Sequence, residues 1–219
     1  MSKFGSKQFI TPDEMARITE SILLKAEVPI DWQGSVNKVD IDALIEFDYS
    51  LEIDWKDIDY LAPGEVVLAA IIPKHKRIYM NETQKALFLE KMGTMNFSKA
   101  HELGHWILHV TEQMEYAQLS FTESDTYFCR STSKKPPQEF QADMFAASIL
   151  MPKNIIAGAV NELKKQGSVT WPELYKLKDD FEVSISALTT RIQDLRLLHI
   201  VDKKIYLSEA DAIGQLTLF

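Results

Sequence analysis

Two histidines and a glutamate in one short run are the residues of this chain best suited to catalysis. His101 and His105 lie four residues apart in the run His-Glu-Leu-Gly-His, and Glu102 directly follows the first. On a helix this spacing places both imidazoles on one face, about one turn apart, where they can fill two adjacent vertices of a zinc tetrahedron. Glu102 then lies about a hundred degrees round the helix. There it can act as a base toward an attacking water whose pKa zinc lowers. The run therefore predicts a catalytic zinc site; the simpler interpretation is a solvated histidine pair beside a surface glutamate.

A third protein ligand must come from elsewhere, because a catalytic zinc ion keeps its fourth position for water. A third histidine in the pattern HExxHxxGxxH does not fit, since Thr111 stands at its position. His109 continues the stripe of the two motif histidines, and three residues on one straight stripe cannot converge on one ion. We therefore expect His109 to pack or to hydrogen-bond rather than to bind metal.

A glutamate from a second helix is the other source of a third ligand. Glu139 is the preferred candidate, because Asp143 follows four residues later on the same helix face. A carboxylate there can accept the free N–H of His101 and so fix the orientation of its ring. Four other acids in or near the polar connection between the helices compete with Glu139: Glu112, Glu115, Glu123 and Asp125.

Three stretches of the chain together resemble the ImmA/IrrE family of metallopeptidases. Residues 96–109 (NFSKAHELGHWILH) resemble the family's motif element, and residues 139–152 (EFQADMFAASILMP) resemble its second helix, which ends in Leu-Met-Pro. Phe181-Glu182-Val183-Ser184, followed by Ala187-Leu188 and Arg191, is similar to the family's C-terminal helical element. The likeness extends over most of the chain from about Arg77 to Leu197.

The resemblance implies a gluzincin-type site, with His101, His105 and Glu139 as ligands of one zinc ion and Glu102 as the base. It also implies a regulatory protease that cuts a helix-turn-helix transcriptional repressor. Gln141 is a departure, because the family often has a second glutamate at this position.

The helices that carry these residues can be located from their start and stop signals. We expect the motif helix to begin near Asn96 or Ser98, after a break at Gly93, and to reach about Val110. The second helix should span residues 138–150. Further helices are expected at residues 11–27, 39–47, 84–91, 153–165, 171–181 and 185–197.

A β-hairpin precedes the motif helix. Residues 65–72 and 77–81 predict two strands that flank a turn. The edge of this hairpin could receive a peptide substrate as an added strand. The polar residues 111–137 are long for a connection and predict a functional loop or lid. A final strand is expected at residues 203–207.

These elements predict an α+β fold. Its zincin-like metallopeptidase core combines a small antiparallel sheet with the HExxH helix, and a small helical, helix-turn-helix-like C-terminal module follows. We place the metallopeptidase domain at residues 1–165, the helical module at 166–210 and a tail at 211–219.

Composition limits the classes of function. The 219 residues carry a net charge of −8 and a single cysteine, Cys129. This net charge argues against non-specific binding to nucleic acid, because neutralising the phosphates needs clustered Lys and Arg side chains. The chain shows no internal disulfide pair, no signal-like N-terminal run and no apolar run of about 18 residues. We therefore expect a cytoplasmic protein with no membrane association.

The C-terminal part offers two interaction hypotheses. Its two helices resemble a helix-turn-helix, but Arg191 and Arg196 are the main basic residues of the second helix, so packing or substrate recognition is favoured over DNA binding. The last five residues, QLTLF, resemble the peptide with which bacterial replication proteins dock on the DNA sliding clamp. The alternative for them is a tail that covers the core. The candidate clamp-binding residues are Gln215, Leu216, Leu218 and Phe219.

The sequence thus predicts a zinc-dependent endopeptidase. The alternative is a non-proteolytic, zinc-stabilised module that displaces a repressor or docks on the clamp. Substitution of Glu102 by glutamine separates the two, because a peptidase should lose turnover and keep its metal, whereas a binding module should tolerate the change.

Overall fold

The computed structural model describes residues 9–110, 118–121 and 136–216. Its helices are α1 (Pro12–Lys25), α2 (Ile41–Ala43), α3 (Lys85–Glu90), α4 (Met92–Leu108), α5 (Pro137–Leu150), α6 (Lys153–Lys164), α7 (Trp171–Asp180), α8 (Ile185–Asp194) and α9 (Glu209–Leu216). Its strands are β1 (Glu52–Lys56), β2 (Val67–Ile72), β3 (Arg77–Asn81), β4 (Gln118–Phe121), β5 (His199–Val201) and β6 (Lys204–Tyr206). The α+β class is confirmed.

The helix boundaries follow local capping chemistry. At the start of α1, Thr11 Oγ1 accepts from the backbone N–H of Glu14, and the Glu14 carboxylate accepts from the backbone N–H of Thr11. This reciprocal box satisfies two donors that the first turn of a helix leaves free. The helix expected at residues 39–47 is α2, continued by a π-helical turn at Leu44–Asp48. The helices expected in the second half of the chain are also present.

The main sheet has the strand order β1-β3-β2-β4. Strands β2 and β3 form the expected antiparallel hairpin, and β4 is antiparallel to β2. The expectation of an antiparallel sheet is wrong at β1, which pairs in parallel with β3 from Glu52↔Arg77 to Lys56↔Asn81. Strands β1 and β2 follow each other in the sequence, but β3 lies between them in the sheet. No tight turn therefore joins β1 to a neighbouring strand and sets its direction. Because β1 and β4 flank the hairpin, the hairpin has no free edge among the described residues, and the expected docking of a substrate on it is wrong as well.

One apolar cluster joins the sheet to the helices on one of its faces. Strands β2 and β3 contribute Ile71 and Met80, and α4 and α5 contribute Leu103 and Phe145. Helices α7 and α8 add residues to the same cluster, including Leu188, which is fully buried. Residues of the segment predicted as a helical C-terminal module, 166–210, therefore pack against the core of the preceding residues.

The start of the motif helix differs from the sequence expectation. Helix α4 begins at Met92 and runs through Gly93, which does not break it. A Cβ atom on Gly93 would lie 2.2 Å from the carbonyl carbon of Val183, in the connection between α7 and α8. One turn later, the Asn96 amide donates to the carbonyl oxygen of Glu182 at 3.2 Å. The glycine therefore allows close contact between α4 and the backbone of the C-terminal helices.

The C-terminal residues continue from α8 through the β5–β6 hairpin to α9. The strand expected at residues 203–207 corresponds to β6. Gln215 and Leu216 form the end of α9, whereas Leu218 and Phe219 lie outside the described residues, so clamp binding stays a prediction.

No single helix among the described residues is long and apolar enough to cross a bilayer. Helices α5 and α6 reach that length and composition only when they are taken together, and they are bent by 60°.

Candidate metal centre

Helix α4 presents the two motif histidines on one buried face. The side chains of His101 and His105 are buried, and their Nε2 atoms lie 2.9 Å apart. The interpretation of a solvated histidine pair is therefore wrong. The four-residue spacing brings the two rings together, with centroids 4.7 Å apart.

Glu139 on the first turn of α5 faces both histidines. One carboxylate oxygen lies 3.2 Å from His101 Nε2, and the other lies 3.2 Å from His105 Nε2. Ligand atoms of these three residues all lie within 4.8 Å of one another. Zinc bonds of about 2.0–2.1 Å at tetrahedral angles separate neighbouring ligand atoms by about 3.3 Å. The donor set of two imidazoles and one carboxylate therefore fits a zinc ion in both chemistry and spacing.

Close packing of two helices makes this convergence possible. A Cβ atom on Gly104, in the middle of the motif, would lie 3.0 Å from Cδ1 of Phe145 on α5. A larger residue would push α5 away from α4 and with it Glu139. The glycine of the motif therefore sets the distance between the helix that carries the histidines and the helix that carries the glutamate.

Asp143 lies one turn beyond Glu139 and contacts the far side of the His101 ring. Its Oδ1 atom is 2.9 Å from His101 Nδ1, so the carboxylate accepts the Nδ1 proton. This leaves Nε2 directed toward the cluster and fixes the ring plane. The contact expected between Asp143 and His101 is therefore present, and the role of Asp143 stays a prediction. The competing acids, Glu112, Glu115, Glu123 and Asp125, lie outside the described residues.

Glu102 is fully buried at the contact between α4 and the sheet. Its Oε2 atom accepts a hydrogen bond of 2.7 Å from the backbone N–H of Ile71 on β2. This bond joins the residue after His101 directly to the central hairpin. No sequence pattern indicates it, because any residue of β2 could supply the same N–H.

His109 and Gln141 form a second group beside the cluster. His109 Nδ1 lies 3.1 Å from His105 Nδ1, and His109 Nε2 lies 2.9 Å from Gln141 Oε1. His109 thus hydrogen-bonds to a proposed ligand, as expected for a residue on the same stripe. The contact of Gln141 with His109 was not expected from the sequence, where Gln141 stands out only as a departure from the family pattern.

Burial and hydrogen bonds within the cluster shift the pKa values of His101, Glu139 and His109. Burial would lower the pKa of His101, but hydrogen bonds with Asp143 and Glu139 outweigh burial and raise it to about 10. Burial would raise the pKa of Glu139, but hydrogen bonds with His101 and His105 outweigh that effect and bring it well below its usual range. Burial also lowers the pKa of His109. The metal-free site therefore holds an imidazolium beside a carboxylate, and a cation that enters must displace the proton.

Comparison with known proteins agrees with this geometry. The Peptidase M78 family model, described as the IrrE N-terminal-like domain, matches residues 72–193. The match covers more than half of the 219 residues and includes α4, α5 and both helices of the predicted C-terminal module. No curated protein matches the chain. With this family model and the His101, His105 and Glu139 cluster on α4 and α5 in agreement, the chain belongs to the Peptidase M78 (IrrE N-terminal-like) family of metallopeptidases.

Proposed function

We propose that the protein is a zinc-dependent endopeptidase with a regulatory substrate. The observation that carries the proposal is the convergence of three donors, the buried His101 and His105 and the half-buried Glu139, on the helix face next to the buried Glu102. A structural zinc site is usually closed by four protein ligands, whereas a catalytic site has three and an open position. The described residues supply three.

The three donors would hold the metal ion through the two Nε2 atoms and the Glu139 carboxylate. Zinc bound in such a site supplies Lewis acidity, which polarises a carbonyl and lowers the pKa of water. Asp143 holds the His101 ring by accepting its Nδ1 proton, so that this ligand is oriented before binding. Gly104 keeps α4 and α5 close enough for the glutamate to reach both rings.

Glu102 is the general base of the proposed reaction. It takes a proton from the attacking water and later passes this proton to the leaving amine. The hydrogen bond from Ile71 N–H fixes the carboxylate against β2, which limits the loss of side-chain freedom when the substrate binds. Complete burial of Glu102 places this proton transfer away from bulk water.

Strand β4 is the edge strand on the side of the proposed site. It pairs with β2 through Ile71↔Gln118, and the Ile71 N–H bond to Glu102 starts from the same residue of β2. An extended peptide that added to β4 would run past the proposed centre with its backbone hydrogen-bonded to the sheet. We propose a helix-turn-helix transcriptional repressor, in a cytoplasmic setting, as the protein substrate. This proposal rests on the family resemblance of residues 96–109 and 139–152.

A matched pair of isosteric variants tests the function. Purified protein loaded with zinc is incubated with a panel of helix-turn-helix repressors, and fragments are identified by intact-mass spectrometry. We expect the wild type to cut one of these proteins at one or few bonds. Glu102→Gln should abolish cutting and keep the metal, whereas Glu139→Gln should lose both. Cutting by Glu102→Gln at the wild-type rate would exclude Glu102 as the base. No cutting of any repressor by the zinc-loaded wild type would favour the non-proteolytic alternative.

A further inference from the structure

A chain of hydrogen bonds leads away from the metal centre and ends at Gln141. We infer that His109 and Gln141 are positioning residues that hold the proton of His105 on Nδ1 and so leave its Nε2 free to bind the metal. The inference rests on the proposed function, because it takes His105 as a ligand. It goes beyond that function because it assigns a role to two residues that do not touch the metal.

The hydrogen bond between the rings of His105 and His109 limits where their protons can lie. The Nδ1 atoms of His105 and His109 lie 3.1 Å apart, a hydrogen-bond distance. A neutral imidazole carries one proton on its two nitrogens. Two facing nitrogens that share one hydrogen bond need a donor on one side and an acceptor on the other. The two rings therefore cannot choose their tautomers independently.

Metal binding determines the direction of this bond. His105 presents Nε2 to His101 and Glu139, so Nε2 must be unprotonated to bind a cation. The proton of His105 is then on Nδ1 and is donated to Nδ1 of His109. His109 must carry its own proton on Nε2. That atom lies 2.9 Å from Gln141 Oε1, which accepts the hydrogen bond and is the last member of the chain among the described residues.

The orientation of the Gln141 side-chain amide determines whether this arrangement of protons can form. The side-chain amide of glutamine both donates and accepts, so a reversed Gln141 would donate to His109 Nε2. That reversal would move the proton of His109 to Nδ1 and the proton of His105 to Nε2, which blocks ligation. Gln141 is only 5% exposed, so bulk water is a poor substitute for its oxygen. Only one orientation of this amide is therefore compatible with a bound metal.

The two histidine ligands are consequently held in different ways. His101 donates to Asp143, a charged group that can only accept while it is ionised. His105 donates to a neutral ring, and the direction of that bond depends on Gln141 two steps away. A residue that supports a ligand from outside the coordination sphere typically contributes tenfold to a hundredfold in metal affinity. We expect the lower end of that range, about tenfold, for a residue that acts through a second ring.

A double-mutant cycle tests the inference without any activity assay. Gln141→Met removes the acceptor and nearly keeps the volume. His109→Asn places a side-chain oxygen close to the former Nδ1 position and cuts the connection to Gln141. Zinc affinity is measured by competition with a chromophoric chelator. We expect Gln141→Met to weaken zinc binding about tenfold in the wild-type background, and by less than about twofold in the His109→Asn background.

Nuclear magnetic resonance of the zinc-bound wild type supplies a readout that is independent of any variant. Long-range proton–nitrogen spectra of the histidine rings should show the proton of His105 on Nδ1 and the proton of His109 on Nε2. A proton on Nδ1 of His109 would overturn the inference, even if Gln141→Met failed to fold. Equal zinc affinity of the wild type and Gln141→Met would overturn it as well, while leaving the proposed function intact. A wild type that binds no zinc would overturn both.

Discussion

Gly93→Ala tests whether the contact between α4 and the C-terminal helices is part of the core. Alanine favours a helix over glycine by at most about 1 kcal/mol. Against this gain, the new Cβ would lie 2.2 Å from the carbonyl carbon and 2.5 Å from the next amide nitrogen, between Val183 and Ser184. Overpacking costs about 1–3 kcal/mol, and the upper end applies here because backbone atoms cannot rotate away. We expect a net loss of about 2 kcal/mol, which corresponds to a melting temperature about 4–8 °C lower.

Gly158→Ala on α6 is a second test of overpacking. A Cβ atom there would lie 2.2 Å from Cγ and 2.5 Å from Cβ of the half-buried Trp32 side chain. Rotation of the side chain moves Cγ but not Cβ, so the backbone at Trp32 or α6 must shift, and the overlap outweighs the gain in helix propensity. We expect a net loss of about 1–2 kcal/mol in the free energy of unfolding. Both variants are compared with the wild type by thermal and urea denaturation.

Two results would refute this reasoning. One is a Gly93→Ala variant as stable as the wild type, which would mean that the C-terminal helices can move away from α4 at little cost. The other is a Gly158→Ala variant as stable as the wild type, which would mean that Trp32 and α6 can separate at little cost.

Three further predictions concern the metal. Asp143→Asn removes the charged acceptor of the His101 proton, so we expect zinc affinity to fall about tenfold to a hundredfold in a chelator competition, and an unchanged affinity would exclude this role. Because the pKa of His101 is raised to about 10 without metal, binding at neutral pH must release a proton, and apparent affinity should rise about tenfold per pH unit. Calorimetry in buffers of different ionisation enthalpy measures this proton, and a pH-independent affinity would contradict it. Zinc at about a hundred times its Kd should stabilise the fold by about 2.7 kcal/mol; EDTA should therefore lower the melting temperature of the wild type and not that of Glu139→Gln.

Features that depend on spacing along one element could be predicted from the sequence. His101 and His105 share a helix face by geometry alone, and Asp143 follows Glu139 by one turn for the same reason. The β2–β3 hairpin and the helices are set by local patterns of apolar residues, caps and turns. Such patterns act over fewer than about 20 residues, so they can be read from one sequence.

Features that depend on contacts between distant segments could not be predicted. Gly93 looks like a helix break, yet its role is set by Val183, ninety positions later in the chain. Strand β1 has a charged, alternating sequence, and only its partner β3 shows that it is parallel. The bond from Ile71 to Glu102 uses a backbone N–H, which has no sequence signature.

The metal content of three purified proteins tests the central claim most directly. Elemental mass spectrometry of the wild type, Glu102→Gln and Glu139→Gln, each dialysed after exposure to zinc, gives the number of ions per chain. We expect about one zinc ion in the wild type and in Glu102→Gln, and much less in Glu139→Gln, because three protein donors make a catalytic site and two do not. No zinc in the wild type, or full zinc in Glu139→Gln, would contradict the assignment of His101, His105 and Glu139 as the metal ligands.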